Sequence, residues 1–588
     1  MDNKKIKIVS IISIIALALT LVAATYAYFV AQTGEGAQTD IKINANTVDT
    51  FTFEVGSALN LSLNQENFAS GKGNQTGTTF AKAMLSANNK TNTATEHYYL
   101  YLNISNNTFT YSIDNNTPEI LLSIKDGSNN EITSVSGLTY KTVTDGKGAS
   151  IKGFDITTKK GLVTILNNRE ITTTSSKTEQ WNVTVTFVNY NSNQAGNAGK
   201  NFTAKLMIQK EKILTLAEHV ISQYTGTQGD NALYYHNSSL TNGAGDNSYR
   251  YAGGDYVLTD AGKATGATMM IGYNNSVTTA LIDFYCNGTK QFVGYGCSSS
   301  QTHYYLIKGD TTQYQTYNEV LNASVEKGYL TKDNVKNFVC FGTDASPCPT
   351  ENLYRIIGVF NNQVKLVKWD YAKSSLLGTD GDFSREYTNY YFSGEQGESP
   401  SSNSLYYWNN AGTNTWSESN LNKINLNTNF VNNIGTTWAE KIATTTWKVG
   451  GGSLDNIETS VPKAAYQYEV GSSASTTTYD AKIGLMYVTD YYYSASPSAW
   501  TLVGYNKSDA TKDYRAAQTT NWLFLGSYEW TISRSSDISD YAFIVNNGGY
   551  VDYNYVRDNF GVRPSFNLES SVKYVSGSGS MSDPVRVN

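Results

Sequence analysis

The sequence predicts a multidomain, β-rich chain: an N-terminal signal or membrane helix, an all-β sandwich, then an α+β domain that carries a disulfide-containing insertion. Three observations carry that expectation. The 588 residues exceed what one hydrophobic core organises, so two to four domains follow. Tyr numbers 44, as many as Lys and Arg together, while charged residues make up only 16%; a chain rich in Tyr, Thr, Asn, Ser and Gly favours strands and turns over helices. Hydrophobic residues at 40% and aromatics at 13% suffice to fill real cores, which argues against wholesale disorder. The net charge of −6 comes with no basic stripe, so nucleic acid is not an expected partner.

The first element is the segment 1–31. Lys4, Lys5 and Lys7 precede an apolar run from Ile8 to about Ala24, the layout of an export signal. Small residues offer cleavage after Ala24 or after Ala27, and an uncut run through Ala31 is long enough to span a bilayer. Lysines on the short side keep that end cytoplasmic. The expected location is therefore extracellular, at the cell surface, either anchored by the helix or released after cleavage.

Residues 32–210 read as a β-sandwich. In "WNVTVTF", Trp181, Val183, Val185 and Phe187 fall on one face and Asn182, Thr184 and Thr186 on the other. Period-two alternation in many short segments separated by Asn, Gly, Ser and Thr clusters predicts half-buried strands. No catalytic constellation stands in this region. A Lys-led signal ending in "ATYAYF" and a sandwich closing on "WNVTVTFVNYNSNQAGNAGKNFTAKLMIQ" resemble the camelysin and biofilm-matrix fibre family of Gram-positive bacteria. The resemblance covers roughly the first 210 residues and implies export and self-assembly through the sandwich by strand exchange. A large additional portion behind the sandwich departs from that family.

Residues 211–255 read as a linker: "EKILTLAEHVISQY" has apolar residues at helical spacing, and a loop follows. Residues 256–351 hold all four cysteines and a predicted helix, "YNEVLNASVEKGYL". Without a C-x-x-C pair a zinc site is not expected. In an exported chain the economical pairing is Cys286–Cys297 and Cys340–Cys348, with the other two connectivities open on spacing alone.

From residue 352 the pattern changes. "NLYRIIGVFNNQVKLVKWDYA" predicts a hairpin turning at Asn361-Asn362. "WSESNLNKINLNTNFVNNI" predicts a helix capped by Ser417 or Ser419, with Leu421 and Ile424 on one face. "GTTWAEKIATTTW" predicts a second short helix, and "AKIGLMYVTDYYYSA" a strand rich in aromatics. "NWLFLGSYEWTISR", "YAFIVNNGGYV" and "GVRPSFNL" complete the set. This order, with Trp416 and Leu421, Trp522, Trp530 with Ser533-Arg534, and Gly561-Val562-Arg563-Pro564, resembles the C-type-lectin-like fold in the version shared with the formylglycine-generating-enzyme group and bacterial surface proteins. The resemblance covers about 235 residues, from Asn352 to Val587, and implies a ligand-binding domain over 352–588.

What the resemblance does not bring is equally specific. The calcium-ligand triplets of sugar-binding lectins, Glu-Pro-Asn or Gln-Pro-Asp with Trp-Asn-Asp, do not occur here. No cysteine follows Cys348, so the oxidase chemistry of the formylglycine group does not carry over. The four histidines, at 97, 219, 236 and 303, all lie before residue 352, which leaves the last domain without a His-based acid–base pair. Neither a cofactor nor a metal is expected, nor is enzymatic activity.

The candidate contact surface is the final hairpin and turn, "YAFIVNNGGYVDYNYVRDNFGVRPSFNL". Its candidate ligand-binding residues are Asp537, Asp540, Asn547, Asp552, Tyr553, Asn554, Tyr555, Arg557, Asp558 and Asn559. Tyr offers large area and a polar tip at low entropy cost, while Asn, Asp and Arg adapt their hydrogen bonds, as in an antibody paratope. The plainer alternative is an exposed hairpin whose aromatics form cross-strand pairs. Arg563 is expected to bond buried carbonyls or a carboxylate. Surface proteins of the C-type-lectin-like group include targets of diversity-generating retroelements, and Asn546 to Phe560 lacks Lys, Glu, Gln, Met and Trp, the types that adenine randomisation of Asn codons never yields. The expected function is adhesin-like binding of a protein or glycan on a cell or phage surface. A fibre or matrix subunit is the alternative, and a surface hydrolase using paired Asp (Asp537, Asp540, Asp552 or Asp558) a further one.

Overall fold

The computed structural model describes residues 49–68, 71–87, 93–271, 278–291, 301–315, 317–331, 335–393, 397–474, 477–501, 520–525, 527–547 and 549–588. Strands hold 40% of the chain and helices 16%, the β-rich composition that the sequence predicts. The chain divides into two compact units, Met1–Ile213 and Leu214–Asn588. The expected export segment 1–31 lies outside the described residues. Among the described residues no helix is long and apolar enough to cross a membrane.

The first unit is built from ten strands in two antiparallel sheets. β1 (Thr50–Val55), β3 (Gln75–Ser86), β9 (Ser176–Phe187), β5 (Ile120–Asp126), β7 (Ser150–Asp155) and β6 (Tyr140–Thr144) form one sheet in that order. β2 (Leu59–Ser62), β10 (Asn201–Gln209), β4 (Ala94–Asn107) and β8 (Gly161–Thr173) form the other. The alternation in β9 has most of the consequence expected of it: Trp181, Val183, Val185 and Phe187 are buried and Asn182 and Thr184 stay half-exposed, but Thr186, expected on the same face as the last two, is buried. The four apolar residues meet Leu100, Leu102 and Ile104 of the second sheet in one core. A polar chain also ties the sheets: Trp181 Nε1 donates to the Tyr98 hydroxyl at 2.8 Å, which donates to Glu179 at 2.7 Å.

The segment 211–255, which falls in the second unit from Leu214 onward, does more than link. Helix α1 (Leu216–Ser222) opens with a capping box between Thr215 and Glu218. β11 (Leu233–Tyr235) and β12 (Tyr249–Tyr251) extend the main sheet, continuing through β13 (Leu353–Phe360), β14 (Gln363–Lys368), β22 (Ser565–Asn567) and β17 (Ile483–Gly484). The β13–β14 hairpin turns where expected, with Asn361 and Asn362 at φ 49° and 63°. Two successive left-handed residues make the turn whose twist matches paired strands, and Asn tolerates that conformation.

The Cys-bearing region has a small core of its own, from Leu281, Ile282, Phe284, Ile307, Val320 and Leu321, the last two supplied by the expected helix, α2 (Tyr317–Glu326). Its end belongs elsewhere: the strand Phe338–Cys340 pairs with β13, and Val339 and Phe341 join the main core. Cys340 and Cys348 form a disulfide, as expected. Cys286 is disulfide-bonded too; its expected partner, Cys297, lies outside the described residues.

Two further elements refine the expectations. Leu421–Phe430 winds as a π-helix that buries Leu421, Asn422, Asn425, Leu426 and Phe430. Ser419 acts at its start, where its hydroxyl accepts from the Asn422 N–H at 3.2 Å. The expected aromatic strand in "AKIGLMYVTDYYYSA" is instead two residues of strand followed by helix α3 (Val488–Tyr493), buried on all sides. Asp490 closes a capping box with Tyr487, and three tyrosine hydroxyls reach carbonyls of Gly549, Ile457 and Asn242. Those local and distant bonds outweigh the strand preference of the tyrosines. The remaining strands used below are β15 (Thr445–Val449), β16 (Thr477–Ala481), β18 (Glu529–Arg534), β19 (Tyr541–Val545), β20 (Val551–Tyr555) and β21 (Asn559–Phe560).

Candidate functional site

The predicted hairpin exists as β19 and β20, with β19 flanked on its other side by β18. Both faces of β19 are buried beyond Tyr541. β20 is the edge strand, and its burial falls along its length, from buried Val551 through half-buried Tyr553 to Tyr555 at 51% exposed. Register places Tyr541 opposite Tyr555 and Phe543 opposite Tyr553. The Tyr541 ring lies 4.5 Å from that of Tyr555 and 5.3 Å from that of Tyr553. The Tyr541 phenol donates a hydrogen bond to the Tyr555 hydroxyl, which pushes its pKa up to about 12.

The other predicted residues are spread around this edge and largely engaged with their own chain. Asp552 accepts from Asn546 at 3.2 Å and from the Tyr553 N–H at 2.9 Å. Asn554 accepts from the Tyr555 N–H. Arg557 donates to the Ala411 carbonyl at 3.0 Å and lies over Gly412, where a Cβ would meet its Nε at 2.5 Å. Asp537 caps a turn by accepting from Ser535 at 2.5 Å and from the Leu454 N–H at 3.3 Å. Asp540 accepts from the Val556 N–H through its main chain, and Asn559 lies in β21, paired with Tyr407. Partial burial raises the Asp558 carboxyl above its ordinary value. Asn547 is exposed in the turn. Arg563 does what the sequence suggests, donating to Glu529 at 2.7 Å and to the Leu523 carbonyl at 2.7 Å from a fully buried position.

A cavity of about 280 Å³ lies elsewhere in this unit, lined by Arg250, Lys365, Trp447, Tyr466, Asp490 and Asn567 among others. Sheet register builds its floor. Arg250 on β12 stands opposite Gly358 on β13, Gly358 opposite Lys365 on β14, and Lys365 opposite Asn567 on β22. Directly opposed residues in antiparallel strands point to one face, so the three side chains form a polar row with a gap at the glycine. Gly358 is required there, since a Cβ would come within 2.3 Å of the Tyr249 carbonyl oxygen.

The charges in this row are buried and paired. Lys365 donates to Asp490 at 2.5 Å, with side chains 5% and 2% exposed. Arg250 bonds Asp246 at 2.6 Å and lies 3.7 Å from Asp490. Tyr466 adds a hydroxyl bond to Asp246 at 3.0 Å. The Lys365 ammonium stands 4.3 Å from the Tyr487 ring centre and 5.3 Å from that of Trp447, a favourable seat for a desolvated cation. Burial lowers its pKa, partly countered by Asp490. Burial also acts on Asp246, but the Arg250 charge and bonds from Ser248 and Arg250 win, holding that carboxyl well below the usual range. Behind the row, buried Glu469 accepts from the N–H groups of Val488 and Thr489 and from Ser533. Desolvation pushes its carboxyl up to about 7.

None of the ten predicted contact residues lines this cavity. A faint signal for it is present in "NNQVKLVK", where Lys365 interrupts an apolar strand just after the turn. Its partner, Asp490, stands 125 residues away. A second cavity, of about 120 Å³, is lined by Trp416, Tyr479 and Arg534 among others. Among the described residues, no cluster of His, Cys, Asp and Glu is arranged to hold a metal ion. No protein-family model, curated protein or solved structure matches the chain.

Proposed function

We propose that this chain is an exported recognition protein whose second unit binds a protein or glycan through the β19–β20 edge, in the manner of an adhesin. One observation carries this: three tyrosine rings run in a contiguous row from the core out to Tyr555, which is 51% exposed at the open edge of a sheet. Large amphipathic rings anchored on a rigid strand suit an interface, because little side-chain entropy is lost on contact. The strand edge beside them offers main-chain groups to an extended partner. The resemblance to C-type-lectin-like surface proteins agrees with this role. The test is a glycan and surface-protein binding screen with the full chain, run beside Tyr555→Ala and Asn554→Ala. Capture that falls at least tenfold in the variants supports the assignment; equal capture by all three proteins removes it.

Self-assembly through the sandwich is a second proposal, favoured by a specific feature. β1 and β6 close the six-stranded sheet with no further strand paired to either among the described residues, and such edges are templates for strand addition. Light scattering of the full chain over time tests it, with a monomer at all concentrations as the negative outcome.

A further inference from the structure

The cavity above the Arg250–Gly358–Lys365–Asn567 row is separate from the tyrosine edge, and its chemistry is specific. We propose that it binds a small hydroxylated carboxylate, with a hexuronic acid as the type of ligand.

The charge balance favours an anion. Three cations line the cavity, Arg250, Lys365 and Lys448, against two carboxylates, Asp246 and Asp490. Both carboxylates are already held by protein cations at 2.5 and 2.6 Å. Lys365 carries three donors, and Asp490 is the only hydrogen-bond acceptor for them among the described residues. A ligand carboxylate completes that ammonium and balances the surplus charge. Phosphate fits less well: Arg250 already gives its Nε to Ser248 and its Nη2 to Asp246, so the two-pronged donor that phosphate prefers is occupied.

The acceptor balance favours hydroxyls. Asn567 lines the same cavity, directly across from Lys365. Its Nδ2 donates to Thr445 at 3.0 Å, but its Oδ1 is buried without a hydrogen-bond partner. An unsatisfied buried acceptor costs on the order of 1–3 kcal/mol, which a ligand donor would recover. Thr445, Thr446 and Asn361 add neutral polar groups around it. The volume lies just under the range for drug-sized ligands, which points to a compact molecule such as a single sugar ring. Phe360 and Tyr466 provide apolar faces for its C–H groups.

The test is titration calorimetry of the full chain with glucuronate, glucose, cyclohexanecarboxylate and inorganic phosphate. Glucuronate is expected to bind saturably, with glucose at least tenfold weaker for want of the charge. Lys365→Met should cost glucuronate tenfold or more. Asn567→Ala keeps the ion pair and guards against misfolding of the lysine variant; it should erase the preference for glucuronate over cyclohexanecarboxylate. Tyr555→Ala should leave glucuronate affinity unchanged, which separates this site from the tyrosine edge. Absence of saturable glucuronate binding, equal affinity for glucose, tighter binding of phosphate, or indifference to Asn567→Ala would each overturn the proposal.

Discussion

Lys365 and Asp490 lie 2.5 Å apart beside the cavity of the second unit, joining strand β14 to the first turn of helix α3 across 125 residues of sequence. Both are desolvated, so the pair holds together only because each neutralises the other. Asp490 also accepts from the Tyr487 N–H at 2.9 Å, which makes one carboxylate both helix cap and counter-ion. Asp490→Asn strands the ammonium and is expected to destabilise the second unit by about 3–5 kcal/mol. Lys365→Met with Asp490→Leu together should cost less than either change alone. Denaturant melts of Lys365→Met, Asp490→Leu and the double variant, followed by tryptophan fluorescence, measure the coupling; additive losses would show that the pair does not act as a unit.

Glu469 predicts a pH dependence of definite sign. Its folded-state carboxyl is raised by burial to about 7 from the ordinary 4.5, with Asp490 adding to the rise and main-chain bonds from Thr489 and Val488 opposing it. A raised acid binds more protons folded than unfolded between those values, so its contribution is full below pH 4.5 and is lost as pH climbs to 7. The loss is on the order of 3 kcal/mol. Glu469→Gln should flatten the stability profile across pH 5–7. An unchanged slope in the variant would assign the dependence to other groups.

The Cys340–Cys348 bridge closes a short loop at the end of the Phe338–Cys340 strand. With a sequence separation of 8, the chain-entropy contribution is about 2–3 kcal/mol. Replacing both cysteines with serine should lower the melting temperature of the second unit, because Val339 and Phe341 beside the bridge belong to its core. The first unit contains no cysteine, and its transition should stay fixed. Calorimetric scans of the two proteins separate these outcomes.

Where signals are local, the sequence is legible. Alternation in β9 marks which residues fill the sandwich, and Asn361-Asn362 mark the turn of the β13–β14 hairpin. The Tyr487–Tyr493 stretch misleads because tyrosine favours strands in general, whereas here Asp490 caps a helix and the hydroxyls find distant carbonyls. The cavity is illegible for the same reason: Arg250, Lys365 and Asn567 come from separated segments that only the sheet register aligns, and Asp490 reaches Lys365 from a helix 125 residues further along the chain. The tyrosine edge lies between these cases. Its strand and facing pattern are readable, but the extent to which Asp552 and Arg557 bond their own chain depends on Asn546 and Ala411, one of them 146 residues away.

Tyr553 and Tyr555 offer a contrast that separates packing from recognition. The two project from the same face of β20, but Tyr553 is half-buried and packs on the main core, while Tyr555 is 51% exposed. Truncating a ring that rests on a core forfeits transfer free energy and dispersion contacts, so Tyr553→Ala should cost about 2–3 kcal/mol of stability. Tyr555 loses mainly its contact with the Tyr541 ring at 4.5 Å, worth about 0.5–1.5 kcal/mol, and solvent exposure places the expected cost at the lower end. The binding effects should run in the opposite order, with Tyr555→Ala weakening partner capture while the fold is retained. Tyr541 senses the same contact, since its raised phenol pKa comes first from the Tyr555 hydroxyl. In Tyr555→Phe, a spectrophotometric titration of tyrosinate should therefore show one phenol ionising earlier, even as the tilted ring contact survives. A Tyr555→Ala protein that melts as early as Tyr553→Ala would place both rings in the core and leave the edge without its recognition role.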